Sequence, residues 1–306
     1  MLGVVILNYK NYDDTINCVK SFCDCGYSKN YKFYIIDNNS PNDSFVKLKE
    51  VFENNENIVL IKSEVNGGYS AGNNIGLKMA VADGCDVMLL SNSDVAFSYG
   101  AVETMEKSLF SDENCGIVGP KVFDGQGNIQ NRNKRILTPK IFLLKRKGFE
   151  WLDFKKRVKK YGYYDYDYSY PLKVEGMVSG CCFMIKAKVL EEIGYLDEGV
   201  FLYHEEDILG AKLRKNGYYA LLNPNAEIVH LEGKSTGGLN AFLRFNTLYS
   251  GLYYLWKYTE TKKLTFNFVF FISKLMFALK AITSKEYRKY YKKLKTEVRN
   301  LKKCSK

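Results

Sequence analysis

Val87-Met88-Leu89-Leu90 is an unbroken apolar run, and it passes directly into Ser91-Asn92-Ser93-Asp94. Such a run reads as a buried strand that delivers a carboxylate to the end of a sheet. Working outward, the same arrangement recurs through the first third of the chain. Residues 4–8 read as a strand and 12–22 as a helix. Residues 33–37 form a second strand, ending in the turn-rich Asp37-Asn38-Asn39-Ser40-Pro41. Ser44–Phe52 has helical spacing, Ile58–Lys62 is a short strand, and 72–82 is helical. Regular alternation of strand and helix predicts an α/β fold with a mostly parallel central sheet flanked by helices. Open sheets of this kind bind ligands at the carboxyl ends of their strands. Asn8, Asp37 and residues 91–94 share that end.

Downstream the pattern changes. Residues 123–171 are rich in Lys, Arg and Tyr, as in Tyr161-Gly162-Tyr163-Tyr164-Asp165-Tyr166-Asp167-Tyr168. A long insertion or substrate-facing loop fits this composition. Order resumes over 174–185, with a helix at 188–193 and a longer one at 201–216. From Leu239 the chain is mostly helical. Residues 266–282 are strongly apolar, yet they carry Lys274 and Lys280, and 17 residues is at the lower limit for crossing a bilayer. An interfacial helix, or one packed on the domain or on a second subunit, is the expectation.

The chain has 306 residues, of which 46% are hydrophobic, enough for one large domain with an appendage. Its opening apolar run is too short for a signal peptide, and its eight cysteines form no CxxC pair. Reduced thiols of a cytosolic protein are therefore expected. The net charge of +11 is uneven: from Lys257 onward, 15 Lys/Arg face 3 Asp/Glu, so the preceding residues are near neutral. A basic tail implies an anionic partner. Residues 285–306 interleave cations with Tyr287, Tyr290, Tyr291, Leu294, Val298 and Leu301, which favours a lipid headgroup layer over nucleic acid.

Four constellations carry chemistry. Asp94, supported by Asn92, suits a hard divalent cation that joins a carboxylate to a diphosphate, although a helix-capping Asp reads the same way. The glycine-rich run from Asn66-Gly67-Gly68 through Asn73-Asn74-Ile75-Gly76 suits close approach of backbone to phosphate. It is neither a GxGxxG fingerprint nor a P-loop. Glu205-Glu206-Asp207 stands at a helix start, where acids complement the helix dipole; one of them in a cleft could act as a general base. His230, one of two histidines, follows an apolar strand and could complete a metal site begun by Asp94.

In order and spacing these blocks resemble family 2 of the glycosyltransferases, with the GT-A fold, and most closely its rhamnosyltransferase-like bacterial members. The resemblance covers roughly residues 2–257. It rests on the runs at 4–9, 36–40, 66–76 and 92–94, on Ser179-Gly180-Cys181-Cys182, on 201–209, and on His230. It implies a catalytic domain over 1–238, with a donor half about 1–122 and an acceptor half about 172–238. Residues 239–306 would be a helical, basic membrane-associating region. Asn8 and Tyr9 match the pair that borders the nucleotide base, and Asp37 the acid that hydrogen-bonds the base or ribose. Asn66, Gly67, Gly68 and Asn73 match the loop that closes over the donor. Asn92 and Asp94 match the metal motif with Asn in place of its first acid, and His230 matches the histidine that completes it. Ser179 and Gly180 match the segment beside the transferred sugar. Aligning on Tyr203 and Arg214-Lys215-Asn216-Gly217-Tyr218 puts Glu206 at the base, with Glu205 and Asp207 as neighbouring registers.

The resemblance further implies Mg²⁺ or Mn²⁺ as cofactor, a UDP- or dTDP-sugar as donor, and a saccharide or lipid-linked acceptor. The setting would be capsule or O-antigen assembly, on the cytoplasmic side of the cell membrane and peripheral to it. Two other readings compete. A sugar nucleotidyltransferase would need a Gly-rich, basic loop after the first strand, which Asn8-Tyr9-Lys10-Asn11 lacks. A non-catalytic membrane-associated scaffold would not need Asp94, Glu206 and His230 together.

Overall fold

The computed structural model describes residues 1–130, 132–145, 160–164, 166–231 and 240–303. Part of the Tyr-rich insertion, the residues after Leu231 in the His230 run, and the last three residues lie outside it. Nine strands form one sheet: β1 (Leu2–Asn8), β2 (Tyr31–Asp37), β3 (Ile58–Lys62), β4 (Val87–Asn92), β5 (Val95–Phe97), β6 (Cys115–Phe123), β7 (Leu172–Val174), β8 (Cys182–Lys186) and β9 (Tyr219–His230). The order is β3-β2-β1-β4-β8-β6-β9-β5, with β7 beside β9. The expected parallel sheet occupies the first half, β3-β2-β1-β4. The second half is mixed: β8 runs antiparallel between β4 and β6, while β9 is parallel to β6 and antiparallel to β5 and β7.

Alternate residues of each strand feed opposite faces of the sheet. Val4, Ile6, Phe33, Ile35 and Leu89 pack under α1 (Tyr12–Cys23), α2 (Ser44–Phe52) and α4 (Ala101–Phe110). Val5, Tyr34, Ile36, Met88 and Leu90 pack under α3 (Gly68–Ala82), α6 (Ala187–Glu192) and α7 (Glu205–Lys215). The short α5 spans Pro139–Leu144. α3 begins four residues earlier than the sequence suggests. A β-carbon at Gly72 would lie 2.5 Å from Leu7 and one at Gly76 would lie 2.6 Å from Ile36. Those glycines let the helix sit close on β1 and β2, and this packing outweighs their low helix propensity.

α7 begins at Glu205, later than expected, because Tyr203 (φ 71°) and His204 (φ 67°) are both left-handed. Two consecutive non-glycine residues in that region are strained. They turn the chain so that the acidic run starts the helix.

Three helices follow: α8 (Ala241–Lys257), α9 (Lys263–Thr283) and α10 (Lys285–Lys303). They share an apolar cluster with α7 and the insertion, joining Ile208 and Tyr161 to Tyr254, Trp256, Phe266, Phe277, Leu294 and Val298. α9 buries Phe266, Val269, Ser273, Phe277 and Ala281. Its outer face exposes Leu264, Phe268, Phe271, Leu275, Leu279 and Ile282, each by about half or more. By length and composition alone, α9 is apolar enough to cross a membrane.

Candidate active site

In-register pairing sets the carboxyl ends of β1, β2 and β4 side by side: Asn8 faces Asp37 and Leu7 faces Asn92. After Asp94 the chain turns into β5, which pairs with the end of β9 so that Val95 faces His230. The Leu231 N–H donates to the Asp94 carbonyl at 3.0 Å. This backbone register brings His230 Nε2 to 3.1 Å from Asp94 Oδ1. Asn92 Nδ2 lies 3.5 Å from the same nitrogen.

Gln130 fixes the other side of the ring. Its Nε2 donates to the His230 carbonyl at 3.1 Å, which orients the amide, and its Oε1 lies 3.1 Å from His230 Nδ1. An amide oxygen only accepts, so Nδ1 carries a proton and Nε2 is left facing Asp94 and Asn92. A histidine that ligates a metal is commonly held by a hydrogen bond of this kind on its other nitrogen. Asp94 and His230 would supply one oxygen and one nitrogen. Among the described residues no group of three or more His, Cys, Asp or Glu could hold a metal. The remaining positions would therefore fall to diphosphate oxygens and water, the usual arrangement for a Mg²⁺-like ion.

The three acids of the 205–207 run have different surroundings. Asp207 is buried, accepts from Tyr161 Oη at 3.3 Å and pairs with His204 Nδ1 at 2.7 Å. Burial alone would raise its pKa, but Lys134 and then the His204 hydrogen bond outweigh that and hold it at about 2. Glu205 is also buried, and its Oε1 has no hydrogen-bond partner. Burial, followed by the charge of Glu206, pushes it up to about 8, so it is largely protonated at neutral pH. Glu206 alone of the three lines a polar pocket of about 370 Å³. Lys134 Nζ approaches Glu206 Oε2 at 3.5 Å. Burial pulls Lys134 down, but the charges of Glu206 and then Asp207 overcome this and keep the ammonium charged.

The segment 179–182 links the two clusters. The Asn92 N–H donates to the Cys181 carbonyl at 2.8 Å, and Tyr69 Oη donates to the Gly180 carbonyl at 2.9 Å. A β-carbon on Gly180 would lie 2.6 Å from the Glu206 side chain. Ser179 is buried, with its hydroxyl on Cys181 Sγ.

Several of the expected donor contacts are held by hydrogen bonds within the protein. Asn8 and Asp37 are both fully buried: Asn8 Nδ2 donates to Asp37 Oδ2 at 2.7 Å, and the Ser40 N–H donates to Asp37 Oδ1 at 2.9 Å. They brace the strand ends from beneath, and the exposed group there is Tyr9. In the glycine-rich run two amides are already engaged. The Gly68 N–H is held by Asn66 Oδ1 and the Tyr69 N–H by the Phe201 carbonyl. Gly68 is required for packing: its φ is +87°, and a β-carbon would lie 2.2 Å from the Phe201 oxygen. Asn66 also accepts from Asn38, and the buried Asn73 donates to the Tyr69 carbonyl, so this loop clamps α3 to the segment before α7. Gly67 is the residue before that turn. Gln130, Lys134 and Tyr161 belong to the insertion and have no motif of their own; the backbone bridge Lys134–Met177 anchors the first part of it.

The family model described as glycosyl transferase family 2 matches residues 3–194. The chain belongs to glycosyl transferase family 2. Among curated relatives, the low-salt glycan biosynthesis hexosyltransferase Agl10 of Haloferax volcanii is 26% identical over 207 residues, covering 67% of this chain and 59% of its own length. The N-acetylglucosaminyl-diphospho-decaprenol L-rhamnosyltransferase of Mycobacterium tuberculosis is 25% identical over 155 residues, covering 50% and 49%. The chain thus spans about half to three-fifths of the length of these curated relatives. The crystal structure of GalNAc-T7 with UDP, GalNAc and Mn²⁺ superposes with a TM-score of 0.60 at 16% identity, covering 82% of this chain and 47% of that one. The mannosyltransferase PcManGT from Pyrobaculum calidifontis, in complex with GDP-Man and Mn²⁺, gives a TM-score of 0.57 at 13% identity, covering 97% and 84%. These likenesses establish the GT-A fold. The family 2 match spans Asn92, Asp94 and Gly180 but ends before the 205–207 run and His230.

Proposed function

We propose that this family 2 member is an inverting glycosyltransferase that moves a sugar from a UDP- or dTDP-sugar to an acceptor hydroxyl, saccharide or lipid-linked, in cell-surface polysaccharide assembly. The observation that carries the reading is the pairing of two unlike sites across segment 179–182. Asp94 and His230 lie on one side, and Glu206, facing a polar pocket, lies on the other. The solved structures of similar fold are described with Mn²⁺ and a nucleotide or nucleotide sugar, which fits a carboxylate and an imidazole nitrogen as ligands.

Asp94 and His230 Nε2 would hold Mg²⁺ or Mn²⁺, with Gln130 holding the ring. The cation, when bound, neutralises charge that develops on the diphosphate leaving group. Glu206 takes the proton of the acceptor hydroxyl as that oxygen forms its bond to the anomeric carbon. The bond from that carbon to the diphosphate oxygen breaks in the same step, and the nucleoside diphosphate leaves with the electron pair. One displacement on the face opposite the leaving group inverts the anomeric centre. Glu205 and Asp207 are poorer bases: the first is protonated at neutral pH, and the second is buried and paired. A thermal-shift panel of nucleoside diphosphates and their sugars tests the reading. A uridine or thymidine diphosphate should raise the melting temperature only when Mn²⁺ or Mg²⁺ is present. No shift with any nucleotide, or equal shifts in EDTA, would contradict it.

The outer face of α9 and the cations of α10 support a peripheral place at an anionic, cytoplasmic membrane surface. Each basic residue near such a surface contributes about 1 kcal/mol, and salt screens it. The protein should sediment with anionic vesicles at low salt and be released by high salt. Equal binding to neutral vesicles would remove the electrostatic part. Because α8–α10 share a core with α7, truncation after Tyr258 should destabilise the whole domain as well as detach it.

A further inference from the structure

The polar pocket that holds Glu206 adjoins a second chamber of about 350 Å³, lined by α5, α8, α9 and the start of α10. Three residues line both: Lys145, His204 and Thr247. The second chamber is walled mainly by Phe142, Leu248, Met276, Phe277 and Tyr287, and Arg244 and Lys280 also face it. Both volumes lie in the range of small-molecule sites, about 300–1,000 Å³.

Two buried polar atoms in the apolar chamber have no partner among the described residues: Arg244 Nε and Ser273 Oγ. Leaving a buried donor unsatisfied is costly, most of all on a cation. Beside them, at the junction, His204 Nδ1 lies 2.7 Å from Asp207 Oδ2. An apolar space with an unpaired guanidinium N–H and an unpaired hydroxyl near a polar, carboxylate-bearing pocket has a specific complement. It fits a ligand that is sugar at one end, phosphate in the middle and hydrocarbon at the other.

We propose that this chamber seats the phosphate and first apolar segment of a lipid-phosphate-linked acceptor, with its sugar hydroxyl reaching Glu206. The inference rests on the glycosyl-transfer reading and gives the acceptor a chemical class. Arg244 and Lys145 receive the phosphate oxygens. The chain beyond the chamber follows the exposed stripe Phe271, Leu275 and Leu279 of α9 toward the membrane.

The test uses the full chain without vesicles, in EDTA so that no probe binds through a metal. Calorimetry compares farnesyl diphosphate, farnesol and inorganic diphosphate. Farnesyl diphosphate should bind at least about tenfold tighter than either other probe. Arg244→Gln, which removes one charge-assisted contact, should weaken it about tenfold or more. Met276→Trp, which fills the chamber, should do the same, with melting curves verifying both folds. Equal affinity for the three probes, or unchanged affinity in both folded variants, overturns the assignment. Absence of nucleoside-diphosphate release by the wild type would overturn the transfer reading instead, which separates the two failures.

Discussion

Asp94→Ala should lower turnover at least about 10³-fold while the protein stays folded. Metal stabilisation of a departing diphosphate is worth several kcal/mol, and each 1.36 kcal/mol is about a factor of ten in rate. Asp94 is the acid of this motif, since Asn92 occupies the position of the family's first acid and carries no charge. No other acid of the described residues joins Asp94 and His230 in a metal-sized group. The fold should survive because the β5–β9 register rests on backbone bonds, including Leu231 N–H to the Asp94 carbonyl, which alanine keeps. A change at such a half-buried turn should cost about 1 kcal/mol. Unfolding of Asp94→Ala, or turnover within tenfold of wild type, would break the link between this carboxylate and the chemistry.

Glu206→Gln should lower turnover about 10²–10⁴-fold, the usual worth of a general base, with little change in donor affinity. Gln keeps the size and the contact to Gly180 but cannot take a proton. The two neighbours give the control. Glu205→Gln replaces a group already neutral at pH 7, so its turnover should stay within about tenfold of wild type. A dead Glu205→Gln beside a nearly silent Glu206→Gln would shift the base by one residue.

How much of this was legible in the sequence differs from place to place, for physical reasons. The first four strands of the parallel half announce themselves, because strands buried on both faces are continuous apolar runs. The polar residue ending each run marks the ligand-binding edge, so Asn92 and Asp94 could be picked out locally. Their meeting with His230 could not, since it depends on β5 pairing with β9 across more than a hundred residues. The residue types alone suggest His230 as a third partner, and the order of the blocks in the family resemblance puts it there. Gln130 and Lys134 sit in irregular chain with no period to reveal them. In a sequence, glycine signals both phosphate loops and close packing. Here packing against Leu7, Ile36 and Phe201 explains the glycine-rich run. Asn8 and Asp37 stand at strand ends, where hydrogen bonds to each other and from the Ser40 N–H fix their side chains, contacts that no local pattern announces.

Nucleoside-diphosphate release from a panel of nucleotide sugars bears most directly on the proposed reaction. It should be measured for the wild-type chain with Mn²⁺, then in EDTA, then after Mn²⁺ is restored in excess. The expected result is release from at least one UDP- or dTDP-sugar that stops in EDTA and returns with the metal. Release that persists undiminished in EDTA, or none from any donor, would contradict a metal-dependent transferase at Asp94 and His230.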